Sequence, residues 1–306
     1  MIAALCAMVA ICAKTSAGDG KKKSDSDAAR DVVELKGSDV NESSGLAVSY
    51  RDDKRWWTHN DSGGKSHIFA FNHKGKRTGK CDLEDVKTKD WEDMASFEID
   101  GQPKLIVADC GDNLAKRKSI WLYVFDEPDP NESTDVDRIQ KIQVSYPNGS
   151  RDCEAIAFDK STKQIVLIEK STLPFAGIYA IDLPPPSRRP TDVEVVATRI
   201  GTLNIPLITA ADIDPINGDL WVVNYFQAFR FPRTNDRKDL TTQITALPKV
   251  VELPKWKQIE AAAVDRKHQL WLTSEGKDAP VGSIESESRM KLDFKQSSKG
   301  RHKCSK

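Results

Sequence analysis

The sequence predicts an all-β fold, and three features of the chain support this prediction. Short runs rich in Val, Ile and Trp alternate between apolar and polar positions with a period of two, as β-strands do. Gly, Asn, Asp and Pro separate these runs, and long helical patterns are hard to find. A strand motif also recurs at nearly constant intervals. The clearest strand patterns cover residues 104–108, 120–125, 164–168, 219–223 and 269–273.

The recurring motif predicts a β-propeller. Strands rich in small residues begin at Ser44, Glu92, Glu154, Thr209 and Glu260, and a strand with larger side chains follows each of them. Subtraction of these residue numbers gives steps of 48, 62, 55 and 51 residues. A step of about 50 residues matches one four-stranded blade. Small residues suit the innermost strand because strands crowd together around the axis. We therefore expect about five four-stranded blades.

The ends of the repeat region predict how the ring closes. The second blade can be read in full as strands 94–98, 104–109, 119–126 and 138–146. The fifth blade runs out of chain after its second or third strand. Residues 31–36 are therefore expected to supply the missing outer strand and to close the ring.

Two alternatives to a ring of five blades remain open. A degenerate sixth blade has room in residues 130–150 or 185–205. A β-sandwich also alternates short strands with turns, but it does not predict similar motifs at near-constant steps. We therefore favour the propeller, with five or six blades.

The regions outside the repeat predict an exported protein. In the 306-residue chain, residues 1–17 contain an apolar stretch that is too short to span a bilayer and is followed by small residues, as in a signal peptide. A short N-terminal helix is the alternative. Residues 18–30 are expected to be a flexible linker, 31–285 the propeller and 286–306 a flexible polar tail. These assignments predict a secreted or periplasmic protein without a transmembrane segment in the mature chain.

The charge balance bears on the partners of the protein. Lys and Arg together number 46, as do Asp and Glu, so the formal net charge is zero. A nucleic-acid binder needs a basic face for counterion release, so the charge balance argues against this class, and we expect no nucleic-acid partner. The sequence names no substrate or partner and no oligomeric state.

Acidic residues are expected to meet at one rim of the propeller. An inner strand starts on the rim to which the second strand of its blade returns, so Glu92, Glu154, Glu260 and Asn224 should lie near the axis. Ca²⁺ takes six to eight oxygen ligands, which such residues can provide. These four are therefore the predicted ligands of a divalent cation, Ca²⁺ in our interpretation. Other rim residues predicted to bind a ligand are Glu42, His59, Asn60, Asp61, Asp90, Asp93, Asp109, Asp112, Asn113, Asp152, Glu169 and Glu275.

The same acidic residues have a structural interpretation. Carboxylates that share a small volume cannot all stay charged without a cation, basic partners or raised pKa values. His59, Lys170 and the basic run 116–118 are the candidate protein partners. Acidic side chains at blade entrances can also bind backbone N–H groups of neighbouring blades or close Asx turns. Residues 60–64 and 110–113 have the composition of tight turns.

The cysteines predict one disulfide. Cys110 follows the second strand of the second blade, and Cys153 precedes the inner strand of the third blade, so both should lie on the same rim. A Cα separation of about 5–6 Å, which a disulfide requires, is plausible there. Two buried free thiols are the alternative. Cys81 and Cys304 have no such topological argument.

Several motifs resemble those of a family of secreted bacterial propellers, and the resemblance covers about residues 40–280. The matching segments are residues 57–63, 90–95, 108–113 with the basic residues 116–117, 152–157 and 274–276. The blade motif is more loosely similar to gluconolactonase-like, paraoxonase-like and phytase-related esterase propellers. This resemblance implies an axial Ca²⁺ or other divalent ion and lactone or ester hydrolysis. The positions that match the axial ligands are Glu92, Glu154, Asn224 and Glu260.

Three functions follow as hypotheses. The first is an exported propeller that binds a divalent cation at an acidic axial mouth, with a small-molecule or glycan site on the same face. The second is a metal-dependent ester or lactone hydrolase. The third is a protein-interaction scaffold without metal. The sequence has no G-x-S-x-G, H-E-x-x-H or P-loop motif, so it assigns no catalytic residue and leaves enzymatic activity open.

Overall fold

The computed structural model describes residues 29–37, 39–61, 65–186 and 192–284, and in this part of the chain it shows a five-bladed β-propeller. The fold class predicted from the sequence is confirmed. The predicted signal peptide, most of the linker and the predicted C-terminal tail lie outside the described residues. Among the described residues, no helix is long and apolar enough to cross a membrane.

The strands and the one short helix of the described residues are numbered in chain order. The strands are β1 (Arg30–Glu34), β2 (Ser43–Val48), β3 (Arg55–Asn60), β4 (His67–Asn72), β5 (Arg77–Leu83), β6 (Trp91–Ile99), β7 (Gln102–Asp109), β8 (Ile120–Asp126), β9 (Ser133–Val136), β10 (Ile139–Ser145), β11 (Cys153–Asp159), β12 (Gln164–Glu169), β13 (Ala176–Asp182), β14 (Val193–Val196), β15 (Thr198–Leu203), β16 (Ile208–Ile213), β17 (Leu220–Asn224), β18 (Gln227–Phe231), β19 (Lys249–Glu252), β20 (Ile259–Val264), β21 (Leu270–Ser274) and β22 (Pro280–Ile284). The helix is α1 (Leu240–Gln243).

Each blade is an antiparallel sheet that begins with an inner strand. From the axis outwards, the four core strands are β2-β3-β4-β5 in blade 1, β6-β7-β8-β10 in blade 2, β11-β12-β13-β15 in blade 3 and β16-β17-β18-β19 in blade 4. Blade 5 has the order β20-β21-β22-β1. The inner strands contact one another in sequence, and β2 also contacts β20, so the ring is closed.

The ring closes as expected from the ends of the repeat region. Strand β1 pairs antiparallel with β22, with Arg30 opposite Ser283 and Glu34 opposite Pro280. The fifth blade thus combines the first and last described strands of the chain. The strands expected for the second blade agree with β6, β7, β8 and β10, although β6 begins earlier, at Trp91.

The sixth blade that the sequence left open is absent from the described residues. The segment 130–150 contains β9 and β10, and the segment 185–205 contains β14 and β15. Strand β9 pairs in parallel with β5 of blade 1, and β14 pairs in parallel with β10 of blade 2. Each extra strand therefore lengthens the preceding blade to five strands and covers an edge that would otherwise be open to pairing.

All five inner strands contain a β-bulge at the same place. The bulged residues are Ser44, Glu92, Glu154, Thr209 and Glu260, each of which is skipped in the pairing with the second strand. A bulge leaves one residue unpaired and redirects its side chain. These are the five positions at which the sequence motif begins, so the equivalence inferred from the repeat is confirmed.

Large apolar side chains fill the spaces between blades. Phe97 of blade 2 stacks on Phe158 of blade 3 with ring centroids 3.9 Å apart. Between blades 5 and 1, Leu35 is 1% exposed and belongs to a cluster with Trp56 and Trp271. The residues that follow β1 therefore fix the closure of the ring as well as its pairing.

We predict that Leu35→Ala destabilises the whole propeller. Removing a fully buried leucine side chain costs about 2–5 kcal/mol through lost burial and the cavity left behind. The control is Val32→Ala, since Val32 is 49% exposed in β1, just before Leu35, and it should change the free energy of unfolding by less than about 0.5 kcal/mol. Urea denaturation measures both. Equal effects of the two substitutions would show that packing between blades 5 and 1 does not limit stability.

Candidate functional site

The starts of the inner strands and the ends of the second strands share one rim, as the topology predicted. Trp91 pairs with Asp109, and Cys153 pairs with Glu169. Ile208 pairs with Asn224 in the same way. We call this end of the propeller the axial mouth.

Two sets of equivalent positions meet at the axial mouth. The first set is the five bulged residues of the inner strands. The second set is the residue that directly follows each second strand, namely Asp61, Cys110, Lys170, Tyr225 and Glu275. Together the ten positions carry five carboxyl groups and one ammonium group, so the mouth is acidic although the whole chain is neutral.

Three carboxylates form a cluster between blades 1 and 2. Ligand oxygens of Asp61, Asp90 and Glu92 all lie within 4.8 Å of one another, and Glu92 is 7% exposed. Gly111 lies against this cluster. A Cβ atom at Gly111 would lie 2.0 Å from Oε1 of Glu92 and 2.6 Å from Oδ2 of Asp90, so any other residue there would displace these two carboxyl groups.

The cluster strongly favours the protonated form of Glu92. Burial raises the pKa of Glu92 to about 11, and repulsion from Glu154, Asp61 and Asp90 adds to the shift. Burial also raises the pKa of Asp90, with Asp61 contributing further. Both shifts have the cause expected for carboxylates that are crowded in a poorly hydrated place.

A second group of polar residues, on blades 3 to 5, adjoins this cluster, because Glu154 shares a hydrogen bond with Glu92. Nζ of Lys170 lies 3.1 Å from Oε2 of Glu154 and 5.5 Å from the centre of the Tyr225 ring. The Tyr225 hydroxyl donates to Oε1 of Glu260 at 3.2 Å. Burial opposes the charge of Lys170, but attraction to Glu154 and Tyr225 outweighs it and raises its pKa. Glu154 therefore has a cationic partner from the protein itself.

Glu260 and Glu275 are adjacent carboxyl groups in this second group. Burial raises the pKa of Glu260 to about 8. A hydrogen bond with Glu275 and repulsion from it are the next largest causes of this rise. The side-chain amide of Gln258 donates to Oε2 of Glu275 at 2.7 Å. The two carboxyl groups can therefore share a proton at neutral pH.

Two predicted ligands use their side chains to fix local backbone. Asn224 accepts from the N–H groups of Phe226 and Gln227, both at 2.9 Å, and donates to the carbonyl of Pro206. Asn60 accepts from the N–H groups of residues 41 and 42 at 3.1 and 3.2 Å, and it donates to the carbonyl of residue 39. Both residues end a strand and use their side chains to hold the backbone of a loop.

Asp109 and Asp112 are held by the basic run of blade 2. Arg117 is the member of this run that turns inwards, and its guanidinium lies 2.7 Å from Oδ1 of Asp109. Its backbone N–H donates to Asp112 at 2.6 Å. The backbone N–H of Asp112 in turn donates to Oδ1 of Asp152 at 2.8 Å and so links blades 2 and 3. Of the other predicted ligand-binding residues, Glu169 accepts from a backbone N–H of its own blade, whereas Glu42 and Asn113 are exposed.

Asp93 links two blades, as the structural interpretation of the acidic residues proposed. It is fully buried and accepts from the N–H of Ile156 in blade 3 at 2.9 Å. Asp212 of blade 4 accepts from the N–H of Val264 in blade 5 at 2.7 Å. The sequence analysis missed Asp212, although an aspartate within a strand of small residues was the available signal. His59 is also fully buried, and burial lowers its pKa to about 4, so it is no cationic partner at neutral pH.

Cys110 and Cys153 are neighbours on the mouth rim. Both are buried free thiols in the structure, and Sγ of Cys110 donates to the carbonyl of Cys153 at 3.0 Å. Cys81 is a buried free thiol as well, and Cys304 lies outside the described residues. The predicted disulfide between Cys110 and Cys153 stays a prediction.

Comparison with known proteins adds little to this description. No protein-family model matches the sequence, and no curated protein matches it. One similar solved structure is Kuenenia stuttgartiensis hydrazine synthase, with 10% identity, a TM-score of 0.39, and coverage of 74% of this chain and 60% of that chain. Another is a glucose dehydrogenase, with 8% identity, a TM-score of 0.49, and coverage of 83% and 99%. Neither likeness is strong enough to inform function.

The fold and the mouth together define the class of protein. It is a five-bladed β-propeller whose axial mouth contains an acidic cluster, Asp61, Asp90 and Glu92, that could hold a metal ion. These residues were predicted as ligand-binding (Asp61, Asp90) and metal-binding (Glu92) positions. The bulges and the second-strand ends bring them together.

We predict that the stability of the metal-free protein falls as pH rises from about 5 to 8, in part because of Glu260. A raised folded-state pKa of about 8 means that the folded state holds this proton more tightly than the unfolded chain. The stabilisation is complete below the ordinary glutamate pKa and is lost as pH rises through 8. Glu260→Gln should flatten this part of the profile in EDTA, as measured by urea denaturation. Glu132→Gln, an exposed control, should leave it unchanged.

We predict a disulfide between Cys110 and Cys153 in protein exported to an oxidising compartment. The two cysteines close a loop of 43 residues by subtraction, and such a crosslink adds roughly 3–4 kcal/mol when it is unstrained. Peptide mapping without reductant should recover the linked pair. Alkylation of both thiols in the exported, unreduced protein would exclude the bond.

Proposed function

We propose that this propeller binds a divalent cation, Ca²⁺, at its axial mouth through Asp61, Asp90 and Glu92. The observation that carries the proposal is the convergence of three carboxylates whose oxygens lie within 4.8 Å of one another. Each carboxylate offers two oxygens, so the three can supply up to six, which is within the range that Ca²⁺ takes.

The electrostatics of the cluster support this proposal. Without a cation, Glu92 holds a proton at neutral pH because burial and three neighbouring carboxylates raise its pKa to about 11. A divalent cation can replace this proton and reverse the repulsion, since opposite charges within 4–6 Å favour the ionised carboxylate. The neighbours of Glu92 raise its pKa, so a cation would supply the positive charge that stabilises its ionised form.

The geometry favours this cluster over the wider ligand set expected from the sequence. Lys170 lies 3.1 Å from Glu154, and its ammonium would repel a cation placed there. Asn224 already bonds three backbone groups, and Glu260 bonds Tyr225. We therefore propose the ion on the side of blades 1 and 2. Glu92 belongs both to this cluster and to the ligand set predicted from the sequence.

A bound cation would also support the ligand-binding and hydrolase functions predicted from the sequence. It could orient the hydroxyl groups of a small molecule or glycan, or polarise the carbonyl of an ester or lactone. A panel of esters and lactones, tested on the cation-loaded protein, distinguishes the hydrolase from the binding protein. A scaffold without metal is the outcome if no cation binds.

We predict that Glu92→Gln abolishes or weakens Ca²⁺ binding by more than about tenfold. Two unit charges 4 Å apart interact by about 4 kcal/mol at an effective dielectric constant of 20, and 1.4 kcal/mol corresponds to tenfold. Isothermal titration calorimetry of the chelator-treated protein measures the affinity. In EDTA the variant should be as stable as the native protein, because Glu92 is already neutral there.

The matched control is Glu169→Gln. Glu169 lies on the same rim, but its carboxylate accepts from the N–H of Gly177 and is not part of the cluster. This variant should keep the Ca²⁺ affinity and the increase in melting temperature caused by Ca²⁺. The proposal fails if the native protein gives neither a heat of binding nor a change in melting temperature between Ca²⁺ and EDTA.

A further inference from the structure

Large apolar side chains are strongly exposed on neighbouring loops around the axial mouth. The loops that join the second and third strands of blades 2, 3 and 4 lie on the mouth rim, because their second strands end there. They carry Leu114, Leu173, Phe175 and Phe226, which are 72%, 62%, 62% and 65% exposed. Single exposed apolar residues are common, but a group on one rim calls for a binding partner.

The degree of exposure describes the shape of this surface. A side chain that lines a groove is shielded by the opposite wall, whereas these four keep more than 60% of their surface in solvent. They therefore protrude from three separate loops. A protein partner would need a matching recess for each tip, while a lipid layer accepts each tip independently at the boundary between headgroups and acyl chains. We call the four residues the apolar tips.

Charged residues on one of these loops indicate which lipid surface fits. Lys116 and Lys118 are exposed in the loop that carries Leu114. The acidic member of that loop, Asp112, is buried and bonded to the backbone of Arg117. Lysines close to a membrane surface attract anionic headgroups. This loop therefore carries an apolar tip together with two exposed cationic side chains.

The acidic mouth lies on the same face as the apolar tips. Its carboxylates work against binding to an anionic surface. Asp61, Asp90 and Glu92 would repel lipid phosphates whenever they are ionised. A cation bound among them removes this repulsion and offers phosphate oxygens a ligand position. The mouth and the tips together thus give a physical reason for docking that depends on Ca²⁺.

We infer that the mouth face docks on anionic phospholipid membranes in the presence of Ca²⁺, with the apolar tips inserted at the headgroup boundary. This inference rests on the proposed function, because it uses the cation at Asp61, Asp90 and Glu92. It adds a partner of defined chemistry and an orientation, with the mouth facing the lipid and the opposite end of the propeller facing solvent.

Vesicle co-sedimentation tests the inference. The native protein should sediment with phosphatidylcholine vesicles that contain phosphatidylserine when Ca²⁺ is present, and should stay in solution in EDTA or with phosphatidylcholine alone. The double variant Leu173→Ser/Phe175→Ser should partition at least about tenfold more weakly, because burial of each side chain contributes more than the free energy that corresponds to tenfold. Its Ca²⁺ affinity by calorimetry should be unchanged.

The control variant is Ile216→Ser. Ile216 is 61% exposed, but it lies in the turn between β16 and β17 at the opposite end of the propeller. This substitution should leave vesicle binding unchanged. Equal loss in both variants, or full binding by the double variant, overturns the role of the apolar tips.

Separate readouts distinguish failure of the inference from failure of the proposed function. A protein that binds Ca²⁺ by calorimetry but not the phosphatidylserine vesicles overturns membrane docking and leaves the cation site standing. Equal vesicle binding in Ca²⁺ and EDTA overturns the Ca²⁺-dependent mechanism. Absence of Ca²⁺ binding in calorimetry overturns both.

Discussion

Close packing of five inner strands around the axis is the constraint on which the rest of the structure depends. These strands approach closely because Gly and Ala occupy positions such as Gly45, Ala95, Ala155 and Ala261. A Cβ at Gly45 would lie 2.3 Å from Nε2 of His59, so even one methyl group has no room there. The same crowding explains why each inner strand has a bulge at its entrance. The bulge is the point at which a larger side chain can leave the sheet.

The bulges convert this packing constraint into a site. At two of the five positions the side chain is a hydroxyl that bonds the next blade, as Ser44 does to the carbonyl of Glu92 and Thr209 to that of Ile259. At the other three positions it is a glutamate, whose charged form is poorly solvated because the side chain is buried or half-buried. Lys170 forms an ion pair with Glu154, whereas Glu92 lies closest to other carboxyl groups, namely Asp61, Asp90 and Glu154. This difference is the reason that we propose the cation beside Glu92.

Several acidic residues that look alike in the sequence have different roles in the structure. Asp93 and Asp212 hold neighbouring inner strands together through backbone N–H groups, and Asn60 and Asn224 hold the backbone of loops. Asp109 belongs to an ion pair with Arg117. The candidate ligands Asp61, Asp90 and Glu92 are those whose carboxylate oxygens converge on one another. A carboxylate that is bonded to a backbone N–H stabilises the fold and has little freedom to bind an ion.

The sequence by itself determined the number of blades favoured, the closing strand and the equivalence of Glu92, Glu154 and Glu260, because repeat spacing and strand periodicity are local properties of the chain. It did not determine that residues 133–136 and 193–196 extend preceding blades, since parallel pairing at a blade edge leaves no local pattern. Nor did it distinguish Glu92 from Glu154. Their difference is the presence of Lys170 beside one of them, and only the tertiary structure decides which charges become neighbours.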